Sequence, residues 1–335
     1  MRILITTGLS DEDVGGPSQY ASNLTREFSS MGYEVRTALY GHIEKVLPIG
    51  VRHLYFFLKI LPSVLWADRI IALDTFSVGV PSIFTSILLR KKLIVRVGGD
   101  FLWESYVNRT SHMIILPKFY NSLQKLNLKE KAIFHLTKFL VRKASAVVFN
   151  TEWQKNIWQK AYKIQDNKIY LIRNLILTKS VSVKPMEKLF LCQARDTKIK
   201  NLEMLKEVAR IVKSRHSEFN LEILAKMPHD KLLDRVKSSY AVMLPSLSEV
   251  CPNFILEAMS FNRPFIVTQE TGLKEIYNKG GVFIDPLNLE DIVSSVEKML
   301  DTEEYNRYVK ELELFDLERP WGKVAEEFVS ICKHL

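Results

Sequence analysis

Short apolar runs alternate with segments of helical periodicity along the whole chain. In the first half the runs are RILITTG, YEVRTALY, DRIIALD, KLIVRVGG and SAVVFNT, and in the second half KLFLCQA, FNLEILA, SYAVMLPS, RPFIVTQ and GGVFIDP. Between them lie helix-length segments such as NLEMLKEVARIVKSR and LEDIVSSVEKMLD. Strands that alternate with helices in this way favour parallel sheets covered by helices.

The pattern is interrupted once. Residues 176–188, ILTKSVSVKPMEK, are polar, lack clear periodicity and contain Pro185, so they are predicted to form a linker. We therefore predict two Rossmann-like α/β domains, residues 1–178 and residues 179–318, followed by a terminal helix at 319–335. The length of 335 residues, with 47% hydrophobic and 25% charged residues, is typical of a soluble globular protein of this size.

The N-terminal MRILITTGLS lacks the long apolar region and the cleavage site of a signal peptide. The longest apolar candidate for a membrane span, residues 76–89, has 14 residues and contains a proline. Three cysteines, odd in number and far apart, favour neither a disulfide framework nor a zinc site. We expect a protein of the reducing cytoplasm.

The net charge of +9 is unevenly distributed. Residues 100–179 hold 14 Lys or Arg against five Asp or Glu, with aromatic residues between them. Clustered cations of this kind favour anionic lipid or nucleic acid as partners. The plain alternative is a solvated helix face, and the sequence pattern alone leaves both open.

The segment SLSEVCPNFILEAMSFNRP contains two glutamates, Glu249 and Glu257, on either side of Pro252. A capping box that starts at Ser246 would place this proline beyond the first helical turn, at a cost of about 3 kcal/mol. A helix that begins at Pro252 and ends at Asn262, an asparagine suited to a left-handed conformation, avoids this cost.

On this interpretation Glu249 lies in a loop and Glu257 inside the helix. Free backbone N–H groups near Pro252 to Phe254 then form a helix N-terminus at the carboxyl edge of a parallel sheet, which favours phosphate. Glu257 is placed to accept hydrogen bonds from neutral hydroxyls such as those of ribose.

The stretch PSLSEVCPNFILEAMSFNRPFIVTQETGLKEI resembles the nucleotide-sugar signature of the retaining GT-B glycosyltransferases of family 4, the glycosyl transferases group 1. Upstream, FLCQARDTKIKNLEMLKEV is similar to the family's Arg-x4-Lys segment and implies that Arg195 and Lys200 clamp a diphosphate. GGPSQYASNLTREFSSMGYEV resembles the family's Gly-Gly loop, with Gly15 and Gly16 allowing backbone to approach the donor, and Asn174 matches a usual asparagine.

Two departures from the family pattern carry expectations of their own. Gly98-Gly99-Asp100 stands where many members have a His-Gly or His-Asp pair, and Asp100 is a candidate for orienting the acceptor or a donor hydroxyl. Only 48 residues separate Lys200 from Glu249, so the second domain is expected to be short, with altered recognition of the nucleotide base.

The resemblance implies a GT-B fold, with the two domains facing each other across a cleft and the terminal helix crossing back to the first domain. It implies transfer of a hexose from a nucleotide diphosphate sugar to a hydroxyl of a glycan or lipid-linked acceptor, with retention of configuration. Arg195, Lys200, Glu249 and Asp100 are then the catalytic candidates, and Gly15, Gly16, Asn174, Pro252, Asn253, Phe254 and Glu257 the donor-binding ones. No metal or other cofactor is expected beyond the nucleotide sugar, and the basic first domain suits an anionic membrane surface rather than nucleic acid.

Two other function classes can be compared with the same sequence. A nicotinamide-dependent dehydrogenase needs G-x-G-x-x-G after its first strand, and TTGLSDEDVGG does not supply it. A non-catalytic sugar-nucleotide-binding or scaffolding relative of the same fold remains the alternative.

Overall fold

Contacts between residues divide the chain into two units. The computed structural model describes residues 1–8, 16–123, 125–174, 178–180, 185–225, 227–316 and 318–335. The first unit comprises Met1–Leu102, Leu123–Asn174 and Pro320–Leu335, and the second comprises Trp103–Ser122 and Leu175–Arg319. Trp103–Ser122 lies inside the range 1–178 that the sequence pattern assigns to the first domain. The predicted linker at 176–188 falls partly outside the described residues.

A parallel sheet forms the centre of the first unit. Its described residues include six strands in the order β2-β1-β3-β4-β5-β6. The strands are β1 (Arg2–Thr7), β2 (Glu34–Leu39), β3 (Arg69–Ala72), β4 (Lys92–Arg96), β5 (Ala146–Phe149) and β6 (Ile169–Leu171). The inner strands are apolar and buried almost throughout, as expected where helices cover both faces of a parallel sheet.

A second parallel sheet forms the centre of the second unit. Within the described residues it has five strands in the order β11-β10-β9-β7-β8. They are β7 (Leu189–Gln193), β8 (Asn220–Leu224), β9 (Ala241–Leu244), β10 (Phe265–Thr268) and β11 (Gly281–Ile284). The chain passes from β7 to β8 on one side and then returns to β9 on the other side of β7. The carboxyl ends of β7 and β9 are therefore the switch point of the sheet, the place where open α/β sheets bind ligands.

Helices cover both sheets. In the first unit and at its boundary they are α1 (Gly16–Ser30), α2 (His42–Val46), α3 (Ile49–Trp66), α4 (Gly79–Leu88), α5 (Phe101–Thr110), α6 (Leu116–Asn121), α7 (Leu128–Lys143) and α8 (Glu152–Tyr162). In the rest of the chain they are α9 (Leu202–Arg215), α10 (His229–Ser238), α11 (Asn253–Ser260), α12 (Leu289–Leu300), α13 (Thr302–Glu313) and α14 (Trp321–His334). Together with the two sheets they confirm the predicted α/β fold class.

The terminal helix α14 packs against α1 in the first unit. Trp321 makes an edge-to-face contact with Tyr20 at 4.8 Å between ring centroids, and Phe328 is fully buried beside it. Arg69 Nε donates a hydrogen bond of 2.9 Å to the carbonyl of Cys332. The return of the terminal helix to the first sheet is therefore confirmed.

Candidate functional site

Two loops meet at the carboxyl ends of β7 and β9. The loop after β7 ends in a 3₁₀ turn at Lys198–Lys200, and the backbone N–H of Leu247, in the loop after β9, donates to the carbonyl of Ile199 at 2.9 Å. Asn201 has a left-handed φ of 58°, and its amide donates to the carbonyls of Pro245 and Pro286. These bonds fix the two loops against each other.

Lys200 and Glu249 form an ion pair at this junction. Lys200 Nζ lies 2.5 Å from Glu249 Oε1, and their side chains are only 18% and 13% exposed. Glu249 lies in the loop, as predicted, and its N–H donates to the carbonyl of Glu270 at 2.9 Å. The structure therefore brings two of the predicted catalytic residues into direct contact and holds both in place.

Arg195 lies further out. Its side chain is 76% exposed, and its guanidinium is 3.7 Å from the carboxylate of Glu104. The neighbouring Lys198 N–H donates to Asn108 Oδ1 at 3.2 Å, so the end of α5 borders this loop. Arg195 is thus an exposed cation at the rim of the site, and an exposed pair at this distance contributes little to stability.

Helix α11 begins one residue later than predicted, since Pro252 is the N-cap residue and Asn253 the first helical residue. Because proline has no polar side-chain atom, Pro252 supplies no side-chain hydrogen bond to the first turn. Phe254 is buried and Asn253 is exposed at the helix start. Asn262, two residues beyond the helix, has a φ of 55°, which confirms the predicted left-handed end.

Glu257 has a partner that the sequence analysis missed. His229 Nε2 lies 2.8 Å from Glu257 Oε1, and the two side chains are 33% and 12% exposed. This hydrogen bond raises the pKa of His229 above its usual value, with burial acting in the opposite direction. His229 is the first residue of α10, directly after Pro228, and no sequence motif links it to Glu257.

Other polar groups at the same edge are buried. Within the described residues, Thr197 Oγ1 and Ser246 Oγ have no hydrogen-bond partner, which is uncommon for buried hydroxyls. Glu270, after β10, is half-buried, and burial raises the pKa of its carboxyl group. Burial also raises the pKa of Cys192 to about 12, so this thiol is not a nucleophile at neutral pH.

The predicted residues of the first unit occupy the carboxyl ends of its strands. Asp100 follows β4, is buried and directly precedes α5. Asn174 follows β6, and Asn174 Oδ1 accepts a 2.8 Å hydrogen bond from Arg96 Nη2. Gly16 is the first residue of α1, whereas Gly15 lies outside the described residues.

Arg96 was not predicted as a site residue. It is 8% exposed at the end of β4, and its guanidinium lies 3.9 Å from the ring centroid of Tyr20. The backbone N–H of Asn174 donates to Asn150 Oδ1 at 2.8 Å, so these side chains form one network. Asn174 therefore has a structural task at the end of the first sheet, whatever else it binds.

Over the described ranges, no three or more His, Cys, Asp or Glu side chains come together in a group that could hold a metal ion. The charged groups at the edge of the second sheet are paired cations and carboxylates.

Comparison with known proteins supports the same region. Residues 220–312 match the family model described as "Glycosyl transferases group 1". A curated protein described as an uncharacterized glycosyltransferase, from Haemophilus influenzae, is 21% identical over 95% of this chain and 96% of its own length. The matched region contains Glu249, α11 and Glu257.

Solved structures match over the whole chain. Sucrose-phosphate synthase from Thermosynechococcus elongatus has a TM-score of 0.69 at 12% identity and covers 99% of this chain and 98% of its own. Anabaena HepE in complex with UDP and glucose also has a TM-score of 0.69, at 13% identity and full coverage of both chains. The chain therefore has a GT-B fold, and residues 220–312 of its second unit are similar to the glycosyl transferases group 1 family.

Proposed function

We propose that the protein is a glycosyltransferase that moves a hexose from a nucleoside diphosphate sugar to an acceptor hydroxyl, with retention of configuration. The observation that carries this proposal is the Lys200–Glu249 pair, held at the switch point of the second sheet beside the start of α11. A cation and a carboxylate in contact suit the place where an anionic phosphate joins a sugar with neutral hydroxyls.

The protein offers a binding group for each part of the donor: the diphosphate, the sugar and the ribose. Lys200 offsets charge on the diphosphate, and Arg195 moves in from the rim to complete the clamp. The N–H groups at the start of α11 face the same anion. Glu249 accepts hydrogen bonds from sugar hydroxyls, and Glu257, with His229 on one oxygen, accepts from ribose. The UDP and UDP-glucose complexes of HepE support a donor of this class.

The reaction proposed is a front-face displacement. The bond between the anomeric carbon and the phosphate oxygen breaks while the acceptor oxygen bonds to the same face of that carbon. The acceptor proton passes to the departing phosphate oxygen, so no separate general base is assigned. Because the acceptor oxygen attacks the anomeric carbon directly, no side chain of the protein is assigned as a nucleophile. Lys200 and Arg195 stabilise the negative charge that grows on the leaving diphosphate, the kind of charge stabilisation that lowers such barriers most.

We further propose that the reaction needs no metal ion and no cofactor beyond the donor. The support is chemical: two cations and a helix N-terminus supply positive charge to the diphosphate. On the acceptor side, Asp100 and the Gly15-Gly16 loop remain candidates for orienting substrates. A glycan or lipid-linked acceptor at the cytoplasmic face of a membrane fits the basic first unit.

Product analysis tests this function. We expect wild-type protein to form a glycoside whose anomeric proton shows the same configuration as the donor by NMR, with activity unaffected by EDTA. Arg195→Ala and Glu257→Ala are expected to lower kcat/KM by about tenfold to a hundredfold, because each removes one charged contact. A product of inverted configuration would reject the mechanism, and donor binding without any transfer would identify a non-catalytic relative.

A further inference from the structure

Helix α3 is apolar on both of its faces. Its inner face buries Phe56, Ile60 and Val64 completely. Its outer face exposes Leu54 and Leu58, at 59% and 55%, together with Val51, Tyr55 and Leu65. Among the described helices only α3 is long and apolar enough to cross a membrane by length and composition, yet little of it is buried. An apolar helix face of this size is normally covered by something.

The neighbouring helices extend this apolar face. Ile43 and Val46 of α2 are 53% and 68% exposed, and Phe84, Ile87 and Leu88 of α4 are 43% to 62% exposed. Helices α2 and α4 both pack against α3. We call the exposed apolar residues of α2, α3 and α4 the outer apolar face.

A groove runs beside the outer apolar face. It has a volume of about 630 Å³ and lies between α3, α4 and α7, with walls that include Leu54, Phe57, Phe84 and Leu136. Among the described residues that line the groove, Lys129 has the one charged side chain. Such a groove accepts hydrocarbon rather than a polar ligand.

Positive charge borders the apolar surface. The residues of the first unit include 24 Lys or Arg against 14 Asp or Glu, a formal charge of +10, whereas the second unit has 23 against 24. A basic pocket formed by Lys138, Arg142, Lys143 and Lys163 lies on α7 and the end of α8. Phe139 of this pocket stacks on Phe84 of the groove, with ring centroids 5.5 Å apart.

Three occupants could cover the outer apolar face. A second copy would bring two units of charge +10 together, which opposes association. A membrane-spanning α3 would leave the core without Phe56, Ile60 and Val64. The surface of an anionic bilayer suits both the exposed apolar residues and the neighbouring positive charge. Apolar side chains enter the acyl boundary, while nearby Lys and Arg contact head groups.

We propose that the outer apolar face is a membrane-docking surface that inserts into a bilayer containing anionic lipid. The membrane-docking proposal rests on the proposed function in one respect: docking would deliver the enzyme to a lipid-linked acceptor. The basic residues of α7 and of the end of α8 are then one border of the surface, and α3 supplies the insertion.

Vesicle flotation tests the surface. We expect wild-type protein to float with vesicles of phosphatidylcholine and phosphatidylglycerol, and far less with phosphatidylcholine alone. Leu54→Glu/Leu58→Glu should lower the bound fraction at least about tenfold, because two leucines no longer enter hydrocarbon. Leu54→Ser/Leu58→Ser keeps the helix uncharged and should give a smaller loss of the same sign. Circular dichroism confirms that each variant is folded.

The matched control is Met186→Glu/Leu314→Glu, which changes two apolar residues of the second unit that are 98% and 82% exposed. It should float like the wild type. Equal flotation of all variants, or of wild type with neutral vesicles, would overturn the proposal. The proposal would also be overturned if the wild type sedimented as a dimer and the Leu54→Glu/Leu58→Glu variant sedimented as a monomer. Binding of the nucleotide sugar donor is measured separately, without vesicles. Membrane docking and the proposed function can therefore fail independently of each other.

Discussion

At the scale of residues, the site depends on two carboxylates that each have a basic partner. Glu249 pairs with Lys200 and Glu257 with His229, and all four side chains are at most one-third exposed. Burial of this kind makes each partner costly to remove, because the remaining group loses its hydrogen bond and is not rehydrated.

Lys200→Ala is expected to lower the free energy of unfolding by about 1–3 kcal/mol, since Glu249 would be left largely buried and unpaired. Affinity for the nucleoside diphosphate sugar should fall as well. The control is Lys206→Ala, which breaks an exposed pair with Glu203 on α9 and should change neither quantity measurably. Chemical denaturation and calorimetric titration measure the two effects. A Lys200→Ala protein as stable as Lys206→Ala would contradict the structural role of the pair.

His229 makes stability depend on pH. Its pKa in the folded protein is raised above 6.5 by the hydrogen bond with Glu257, so the folded state binds the proton more tightly than the unfolded state. The stabilisation is present below pH 6.5 and is lost as the pH rises through the raised value. The difference in melting temperature between wild type and His229→Gln should therefore be larger just below pH 6.5 than in alkaline buffer.

A constant difference across this range would contradict the assignment. Glu257→Gln is the complementary variant, because it removes the carboxylate and leaves the imidazole. It should abolish the same pH dependence.

At the scale of elements, the sequence pattern located most of the architecture. All ten quoted apolar runs fall on strands, because buried parallel strands are short, apolar and flanked by helices. Strand β6 was not among them, since its three residues, Ile169–Leu171, are too short to show a pattern. The start of α11 differed by one residue, within the usual uncertainty of helix ends.

The sequence could not show which side chains meet across loops. The contact of His229 with Glu257 joins residues 28 positions apart on two helices, and no periodicity encodes it. The sequence also could not show that the outer face of α3 is exposed. Apolar residues on all sides of a helix look the same in sequence whether the helix is buried or at the surface.

Substitution by alanine at two glycines near helix starts should change stability in opposite directions. A Cβ at Gly79 of α4 would lie 2.5 Å from the carbonyl oxygen of Asp74 and 2.9 Å from Leu140 Cδ2, so Gly79→Ala should destabilise the protein by about 1–3 kcal/mol. Gly50 of α3 has no heavy atom within 4 Å of such a Cβ. Gly50→Ala should stabilise by up to about 1 kcal/mol.

Denaturant midpoints with unchanged m-values measure both effects. If the two substitutions shift the midpoint in the same direction, the packing described for the start of α4 or α3 is wrong.

At the scale of the whole molecule, charge separates the two units. The first carries the net positive charge and the outer apolar face, and the second carries the paired carboxylates and the residues that match the glycosyl transferases group 1 model. The sequence already placed its charge excess in residues 100–179, but this segment is divided between the units, since Trp103–Ser122 belongs to the second. Tertiary contacts, and not position along the chain, decide that assignment.

The most direct measurement is a thermal-shift screen with UDP-, GDP- and ADP-sugars. A donor that binds only the folded state stabilises it by about 2.7 kcal/mol at a hundred times its Kd. We predict that at least one donor raises the melting temperature of wild type and of Lys206→Ala, and that this shift is lost in Arg195→Ala/Lys200→Ala. No shift with any donor, or a shift that survives in the double variant, would contradict a donor site at the carboxyl ends of β7 and β9.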